Sequence, residues 1–382
     1  MEKKPFYSKD FKLGILGGGQ LGRMLLAPCT RLGIYTRVLD DAADAPCSKA
    51  ASEFHQGSFK DFDTVVAFGR DADVITIEIE NVNTDALEFL EKQGKKVYPQ
   101  PRVIRIIQDK GLQKMFYRDN GIPTSEFHLV ESKSGLSEYK SFFPAFQKVR
   151  TAGYDGRGVY AIRSEAALAN ALEGPSVLEK AVDFTQEMAV IVARSESGEM
   201  AVYPPVEQVF HPEKHLLEQL VSPGHFPPEV TGKAIKLAER IASRLGIVGV
   251  LAIEMFVTAD GEVLVNEMAP RPHNSGHQTI EGNITSQYEQ HLRAITGLPL
   301  GSTDIINPSI MINLLGEEGF SGPVKYAGLD EVLKLSGAHV HLYGKKETRP
   351  FRKMGHVTIT GPNPEELHRK ATFVKNTLKV RS

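Results

Sequence analysis

Residues 247–277 read IVGVLAIEMFVTADGEVLVNEMAPRPHNSGH, and this stretch predicts the centre of the fold. Two runs rich in Val, Ile and Leu, at 247–257 and 263–268, flank a bend at 259–261. An Asp-Gly bend between two β-rich runs is a strong short-range signal for a hairpin. Two acids, Glu254 and Glu267, interrupt these apolar strands, and Asn266 precedes the second acid.

The two acids need a reason to lie in apolar strands, since burying a carboxylate is costly unless it is paired or bound to a cation. Carboxylates on adjacent strands also repel each other, and a shared divalent cation removes that repulsion. Mg²⁺ prefers oxygen ligands, usually one or two carboxylates plus substrate phosphates. Glu254 and Glu267 are therefore candidate ligands of Mg²⁺, with Mn²⁺ possible. The alternative is a pair of acids facing water, but the basic and polar Arg271, His273 and Asn274 that follow favour the metal site.

The composition is that of an ordinary globular protein: 382 residues, 41% hydrophobic and 24% charged, with a formal net charge of -2. Such a length predicts two or three domains, and the charge argues against a nucleic-acid or membrane-surface partner. Cys29 and Cys47 are too few for a disulfide scaffold or a cysteine zinc site. With no apolar run of signal-peptide or membrane-spanning length, we expect a cytoplasmic protein.

Strand and helix signals alternate over residues 12–120, which predicts a parallel, doubly wound sheet. Further signals predict a helix at 229–245 and, towards the C-terminus, a small domain. The predicted strands are 13–16, 35–39, 74–79, 96–98, 145–149, 177–182, 309–314, 338–342 and 355–360, and helices follow at 286–296 and from 364 onward.

The glycine run at 17–22, GGGQLG, has two interpretations. After a strand, and with Asp40 about twenty residues on, it matches a dinucleotide-binding fingerprint. The same loop can bind any phosphate, because glycines expose backbone N–H groups and a helix N-terminus favours anions. We prefer the second interpretation. A nicotinamide-dependent oxidoreductase remains the alternative from another class.

Two further segments carry candidate binding residues. Residues 75–81, ITIEIEN, place Glu78 and Glu80 on one face at the carboxyl end of a predicted parallel strand, where open α/β sheets bind ligands; alternatively, these acids cap the next helix. Lys148 lies in a strand before the glycine-rich run 153–159, GYDGRGV. That run predicts a flexible flap over phosphates, and a plain hairpin turn is the alternative.

E-M-F at 254–256 followed by NEMAPRPHNSGH at 266–277 resembles the ATP-grasp ligases, and APRPHNSGH is most similar to the N5-carboxyaminoimidazole ribonucleotide synthetase family. The resemblance implies an α/β and α+β chain with an ATP-grasp fold. Its parts would be a Rossmann-like pre-ATP-grasp domain at 1–105, an ATP-grasp domain at 106–300 with a nucleotide-binding lid at about 115–182, and a small C-terminal domain at 301–382.

The resemblance also implies an ATP site built in a fixed order along the chain: a lysine, a glycine flap, an E-K-x-V hinge and the paired acids. Lys110 stands where the family commonly has arginine, so it lacks the bidentate fork. The implied ATP-binding residues are Lys110, Lys148, Gly153, Tyr154, Asp155, Gly156, Arg157, Gly158, Val159, Glu179, Lys180, Ala181, Val182, Glu187, His211, Asn266 and Glu267.

For the acceptor and the chemistry, the resemblance implies two more sets. Five cations within 345–353 are typical of a solvated loop, but in the family this segment lines the substrate phosphate; Phe351 departs from the small residues common there. The implied substrate-binding residues are Gly18, Gly19, Gln20, Leu21, Glu78, Glu80, Lys346, Arg349, Arg352 and Lys353. The implied catalytic residues are Arg271, His273, Asn274, Tyr154 and Asp155.

The implied reaction is the ATP- and bicarbonate-dependent carboxylation of 5-aminoimidazole ribonucleotide through carboxyphosphate, in purine biosynthesis. The small-molecule partners would be ATP, bicarbonate and that ribonucleotide, and the enzyme would be a homodimer. A sibling ATP-grasp ligase, of the formate-dependent glycinamide ribonucleotide transformylase or biotin carboxylase type, remains the closest alternative. A non-catalytic nucleotide sensor is disfavoured by the intact acid pair.

Overall fold

Five parallel strands form the N-terminal sheet in the computed structural model, which describes residues 4–151, 158–210 and 216–382. The sheet order is β3-β2-β1-β4-β5, and all its pairings are parallel. Apolar clusters cover both faces of this sheet, as doubly wound folds require. Its elements are β1 Lys12–Leu16, α1 Gln20–Arg31, β2 Tyr35–Asp40, β3 Glu53–Gln56, α2 Phe62–Arg70, β4 Val74–Ile77, α3 Thr84–Lys92, β5 Lys96–Val97 and α4 Pro101–Gln108.

The parallel, doubly wound sheet is therefore confirmed, with two corrections. The short strand β3 was not predicted, because its sequence EFHQ carries no apolar run. The predicted strand at 74–79 is wrong at its end, since β4 stops at Ile77 and Glu78 and Glu80 follow in a bend. The two acids therefore do not share one strand face. Just beyond β4, the Glu78 side chain accepts the Gly19 and Gly22 amides of the glycine loop.

A second, antiparallel sheet of four strands, in the order β6-β9-β7-β8, follows α5. Two 3₁₀ segments at Lys133–Phe142 and Glu165–Asn170 cover one face and enclose a small apolar core. The elements are α5 Lys110–Asp119, β6 Phe127–Val130, β7 Ala145–Val149, β8 Val159–Ile162 and β9 Ser176–Lys180. Strand β9 thus ends two residues before the predicted limit of 182.

The largest sheet has nine strands and contains the acid pair. Along its main path the order is β15-β14-β10-β12-β13-β16-β21-β19, and β11 pairs with β10. Its first part consists of β10 Gln186–Arg194, β11 Met200–Val202, β12 Val206–Phe210, β13 Leu217–Ser222, α6 Pro228–Leu245, β14 Gly249–Val257 and β15 Val263–Ala269.

The predicted hairpin is confirmed as β14 and β15, which pair antiparallel. The bend closes through a hydrogen bond from the Gly261 amide to the Thr258 carbonyl, and Gly261 has a φ of +78° that favours glycine. Helix α6 confirms the predicted amphipathic helix and ends at the left-handed Gly246. Its apolar stripe packs on β10, β14 and β15 in one buried cluster, so the acid pair has a rigid support.

The C-terminal strands extend the same sheet, because β13 pairs with β16, β16 with β21 and β21 with β19. The predicted domain limit at 300 therefore falls beside a sheet that runs through both parts. The elements are α7 Thr279–Gly282, α8 Gln287–Thr296, β16 Ser309–Leu315, β17 Gly322–Pro323, β18 Lys325–Ala327, α9 Leu329–Leu333, β19 Ala338–Leu342, β20 Glu347–Thr348, β21 Lys353–Thr360, α10 Pro364–Thr377 and β22 Lys379–Arg381. Within the described ranges, the helices are all too short or too polar to cross a membrane.

His291 on α8 joins the N-terminal sheet to the central one. The Val250 amide of β14 donates to its Nδ1 at 3.1 Å, so Nε2 carries the proton and donates to the Thr76 hydroxyl of β4 at 2.8 Å. A side chain at Gly249 would meet the imidazole at 2.9 Å, which explains the glycine at the start of β14. Burial lowers the pKa of His291 from 6.5 to about 3.

We predict an acid-labile junction. The unfolded chain takes up a proton on His291 below pH 6.5, whereas the folded chain resists it until about pH 3. The stabilisation is complete above pH 6.5 and is lost as the pH falls, by up to about 1.4 kcal/mol per pH unit. His291→Gln should therefore show a shallower loss of unfolding free energy between pH 6.5 and 5 in urea titrations. Identical slopes for the two proteins would contradict this.

Candidate active site

Glu254 and Glu267 face each other across the hairpin as directly paired residues of β14 and β15. The next pair joins Met255 to Val265, so Asn266 is an extra residue that forms a β-bulge. Strict alternation would point Asn266 and Glu267 to opposite faces, but a bulge redirects a side chain. The bulge lets Asn266 reach Lys148 at 3.0 Å while Glu267 reaches Lys110 at 2.7 Å.

The two carboxylates differ in charge state. Lys110 holds the pKa of Glu267 at about 2, against the effect of burial. Burial and then the charge of Glu267 raise the pKa of Glu254 to about 7. Glu254 accepts a hydrogen bond from Gln208 at 2.9 Å and lies 4.0 Å from the His273 imidazole. Glu267, paired with Lys110, is therefore ionised. Glu254 would become ionised if a further cation lay beside it.

The acid pair fits a magnesium ion bound together with phosphates. Within the described ranges, no group of three or more His, Cys, Asp and Glu side chains is arranged for a metal ion. Two opposed carboxylates are the set with which Mg²⁺ is held when substrate phosphates supply the remaining ligands. Burial raises the pKa of Glu254, and repulsion from the Glu267 carboxylate, with which it shares no cation here, adds to the rise.

Beside the acid pair, Glu179 on β9 lies between two lysines. Its carboxylate is 3.0 Å from Lys114 and 3.2 Å from Lys148, and it accepts a hydrogen bond from Ser125. Burial alone would raise the pKa of Glu179, but the two lysines hold it at about 2. The Glu179 side chain is thus fully engaged inside the protein.

Helix α5 supplies both Lys110 and Lys114, which are four residues apart and so lie on one helix face. Its N-cap, Asp109, accepts the Gly111 and Leu112 amides and pairs with Arg150 at 2.7 Å. Capping and the ion pair fix where the helix begins. From one helix face, Lys110 then reaches Glu267 of the hairpin and Lys114 reaches Glu179 of β9.

The glycine loop is held by acids rather than left open for a phosphate. Asp40 accepts the Gly18 amide at 2.6 Å, and Glu78 accepts those of Gly19 and Gly22 at 3.0 and 3.1 Å. A side chain at Gly17 or Gly19 would come within 2.6 Å of Glu78, so the glycines are needed for this packing. A dinucleotide pyrophosphate would need the same amides, which disfavours the oxidoreductase interpretation. The amides of Gln20 and Leu21, at the start of α1, remain as anion donors.

Glu80 and Arg271 form an ion pair at 2.7 Å that connects the end of β4 to the loop after β15. Next to it, His273 contacts the Ser275 hydroxyl at 2.9 Å. Asn274 is 8% exposed, and both polar atoms of its amide lack a partner within the described chain. Buried polar atoms of this kind require a ligand or water. The structure therefore pairs Glu80 with Arg271 and places the His273 imidazole 4.0 Å from Glu254, with Asn274 next in the chain.

The basic C-terminal loop, residues 345–353, lies against the first turn of α1. A side chain at Gly344 would collide with the Arg23 guanidinium, and Lys346 pairs with Asp44 at 3.3 Å. Arg352 donates to the Glu347 carbonyl of its own loop at 2.7 Å, and Arg349 is exposed. The charge of Lys353 helps to ionise Glu254. This segment therefore lies beside Arg23 of α1 and Asp44, and the charge of its Lys353 acts on Glu254.

Phe351 in this loop has a φ of +63°, the left-handed conformation. A bulky residue pays a steric penalty there, which gives a physical reason for the small residues that the family favours at this position.

The structure describes the hinge, residues 179–182, and the last two residues of the flap, Gly158 and Val159. The Lys180 and Ala181 amides donate to the Glu126 and Pro144 carbonyls, so Val182 is the hinge residue whose amide lacks a partner in the described chain. Burial and the charge of Glu254 raise the pKa of Glu187 to about 7. Gly158 and Val159 lead into β8, and Val159 pairs with Lys148. The predicted site residues Gly153, Tyr154, Asp155, Gly156, Arg157 and His211 lie outside the described residues.

Ser125 and Gln208 were missed as site residues. Lys114 ends the segment DKGLQK at 109–114, which resembles the family's D-R-x-x-x-K motif, but it was given no role of its own. Ser125 and Gln208 lie in stretches without a pattern, and only the folding of β6, β9, β12 and β14 brings them to Glu179 and Glu254.

Three family models match the chain: "Ribonucleotide synthetase preATP-grasp domain" at residues 11–108, "ATP-grasp domain" at 115–288 and "Phosphoribosylaminoimidazole carboxylase C-terminal domain" at 309–370. Among curated relatives, the N5-carboxyaminoimidazole ribonucleotide synthase of Bacillus subtilis is 38% identical over 354 residues, which cover 91% of this chain and 90% of the relative.

Two solved structures are similar along nearly the whole chain. N5-carboxyaminoimidazole ribonucleotide synthetase from Thermotoga maritima has a TM-score of 0.90 and 43% identity, covering 97% of this chain and 99% of that one. The Aspergillus clavatus N5-carboxyaminoimidazole synthase in complex with ADP and 5-aminoimidazole ribonucleotide has a TM-score of 0.88 and 34% identity, covering 96% and 98%.

We predict that Glu254→Gln does not destabilise the protein. The variant loses the repulsion from Glu267, and its amide oxygen can still accept from Gln208. Its melting temperature without ligands should be unchanged or higher by about 1–3 °C. Lys110→Met is the matched control, because it leaves Glu267 without its cation and should lower the melting temperature. A clear decrease for Glu254→Gln would show that the acid pair is structural.

Proposed function

The chain belongs to the N5-carboxyaminoimidazole ribonucleotide synthase family of ATP-grasp ligases, and on this basis we propose that it carboxylates 5-aminoimidazole ribonucleotide with bicarbonate and ATP. The reaction would make N5-carboxyaminoimidazole ribonucleotide for purine biosynthesis. The observation that carries the proposal is the 2.7 Å ion pair between Glu80 and Arg271. It joins the N-terminal sheet, beside the proposed acceptor site, to the loop that follows the acid pair.

The proposed nucleotide site lies between the four-stranded sheet and the hairpin. Lys148, with a 14% exposed side chain, and Lys110 extend from opposite sides towards Asn266 and Glu267, where they would meet the phosphates. The Val182 amide would recognise the base, and Glu187 the ribose hydroxyls. Glu254 and Glu267 would hold Mg²⁺, or Mn²⁺, which neutralises charge on the transferring phosphoryl group.

In the proposed first step, a bicarbonate oxygen attacks the γ-phosphorus, the bond to the β-phosphate oxygen breaks, and ADP and carboxyphosphate result. Arg271, His273 and Asn274 would hold the bicarbonate, since they provide a cation, an imidazole and an amide with unfilled hydrogen-bonding capacity. Positioned donors of this kind stabilise charge that develops in the transition state. Tyr154 and Asp155 are proposed to approach the same anion from the flap.

In the second step, the exocyclic amine of the ribonucleotide bonds to the carboxyl carbon, inorganic phosphate leaves and the amine gives up a proton. Glu80, oriented by its ion pair with Arg271, would contact the acceptor. The charge of Lys353 acts on Glu254. The substrate phosphate would bind Gln20 and Leu21 of the glycine loop together with Lys346, Arg349 and Arg352. Gly18, Gly19 and Glu78 would shape this loop. A homodimer in the cytoplasm stays a prediction from the resemblance.

The experiment that tests this function measures ADP release in a coupled assay with ATP, Mg²⁺, bicarbonate and 5-aminoimidazole ribonucleotide, omitting each in turn. The proposal predicts that fast release and carbamate product require all of them. Formate in place of bicarbonate is the control for the sibling ligases. Sustained turnover with formate, or with glycinamide ribonucleotide as the acceptor, would overturn the substrate assignment.

We predict that Arg352→Ala raises the KM for the ribonucleotide about 10- to 100-fold and changes the KM for ATP little, since a charge-assisted bond contributes about 1.5–3 kcal/mol. Arg369→Ala, which removes an exposed arginine of α10, is the matched control and should change neither constant. If Arg352→Ala weakened both substrates equally, the loop would have a structural role instead.

A further inference from the structure

We propose that Lys114 is a buried countercharge that neutralises Glu179 and thereby keeps Lys148 available to nucleotide phosphates. Lys114 would be a positioning residue that sets nucleotide affinity without touching the nucleotide. The inference rests on the proposed ATP site and adds to it a residue that neither the sequence patterns nor the resemblance assigned to a function.

The first observation is the geometry of the triad formed by Lys114, Glu179 and Lys148. Lys114 binds Oε2 of Glu179 at 3.0 Å, and Lys148 binds Oε1 at 3.2 Å. The side chains of Lys114 and Glu179 are 3% and 5% exposed, whereas that of Lys148 is 14% exposed. Lys114 therefore lies deepest in the protein and Lys148 lies nearest the cleft. The triad has a net charge of one positive unit, and Lys148 is its most accessible member.

The second observation is that Lys114 has no capacity left for a phosphate. Its ammonium contacts the Thr124 hydroxyl at 2.7 Å, the Ser125 hydroxyl at 2.9 Å and Glu179, and an ammonium has three N–H donors. Lys148 contacts Glu179 and Asn266 within the described chain, so one of its donors remains for a phosphate oxygen. Both lysines therefore contact the Glu179 carboxylate, but only Lys148 can also donate to a phosphate.

Lys114 determines the net charge that Lys148 and Glu179 present to a phosphate. With Lys114 present, Glu179 divides its attraction between two cations, and the triad has a net charge of one positive unit. Without Lys114, Glu179 and Lys148 would form a neutral pair in a low-dielectric site, where Coulomb interactions are strong. A phosphate would then compete with Glu179 for Lys148. Burial lowers the pKa of Lys114 to about 8, which shows that burying this ammonium costs hydration free energy. An apolar side chain would fill the same space without that cost.

A purely structural role is the competing explanation, because Lys114 also ties α5 to Thr124 and Ser125. The two explanations differ when Glu179 is neutralised as well. Lys114→Met with Glu179→Gln restores one positive charge, on Lys148, but does not restore the bonds to the two hydroxyl groups. Recovery of affinity in the double variant therefore identifies the electrostatic role.

The experiment measures Mg·ADP affinity by isothermal titration calorimetry for the wild type, Lys114→Met, Glu179→Gln and the double variant, with AMP as the control ligand. We expect Lys114→Met to weaken ADP about 10- to 100-fold, the range for a charge-assisted contact, and AMP much less. The double variant should recover to within about threefold of the wild type. Equal weakening in Lys114→Met and the double variant, or equal loss for ADP and AMP, would overturn the proposal.

Lys114→Gln guards against a folding failure, because it removes the charge but keeps a donor for Thr124 and Ser125. It should weaken ADP as Lys114→Met does; wild-type affinity would overturn the proposal. ADP binding by the wild type distinguishes failure of the proposed ATP site from failure of the proposed role of Lys114. If the wild type did not bind ADP, the proposed ATP site would fail. If it bound ADP and the double variant showed no recovery, the role of Lys114 alone would fail.

Discussion

Two carboxylates face each other across one antiparallel strand pair, and the rest of the site compensates for the repulsion between them. Lys110 from α5 neutralises Glu267, while Gln208 from β12 and His273 from the following loop approach Glu254. These partners come from separate parts of the chain. Bringing charged groups together inside the protein costs hydration free energy, so stability alone does not explain the cluster. The proposed cation, shared with nucleotide phosphates, would explain why these charges are brought together.

The sheet that carries the acid pair also positions the acceptor side. Because β13, β16 and β21 continue the sheet of β14, the basic C-terminal loop next to β21 lies beside Arg23 of α1 and Asp44, and the charge of Lys353 acts on Glu254. His291 connects β4 to β14 on the opposite side. An ion pair with an N–O distance of 2.7 Å joins Glu80, which follows β4, to Arg271 in the loop after β15. The phosphoryl donor and the acceptor would therefore meet at a place fixed by three packed parts of the chain.

Local patterns in the sequence predicted the hairpin, α6 and the parallel N-terminal sheet correctly, because apolar periodicity and turn residues determine these elements. Pairings between distant residues could not be found in this way. The glycine run at 17–22 resembles a phosphate loop, yet Glu78, almost sixty residues away, accepts the Gly19 and Gly22 amides. The bulge at Asn266 changes which side chains face Lys148, and no local signal marks it. Glu179, assigned to the nucleotide hinge by resemblance, has its carboxylate between two lysines.

The central claim is that this site uses the γ-phosphate of ATP to activate bicarbonate beside the acid pair. It is tested most directly by running the reaction with ¹⁸O-labelled bicarbonate and analysing the inorganic phosphate by mass spectrometry or ³¹P NMR. If bicarbonate attacks the γ-phosphorus, one of its oxygens must be found in the released phosphate. Unlabelled phosphate from a reaction that still makes the carbamate product would contradict the claim.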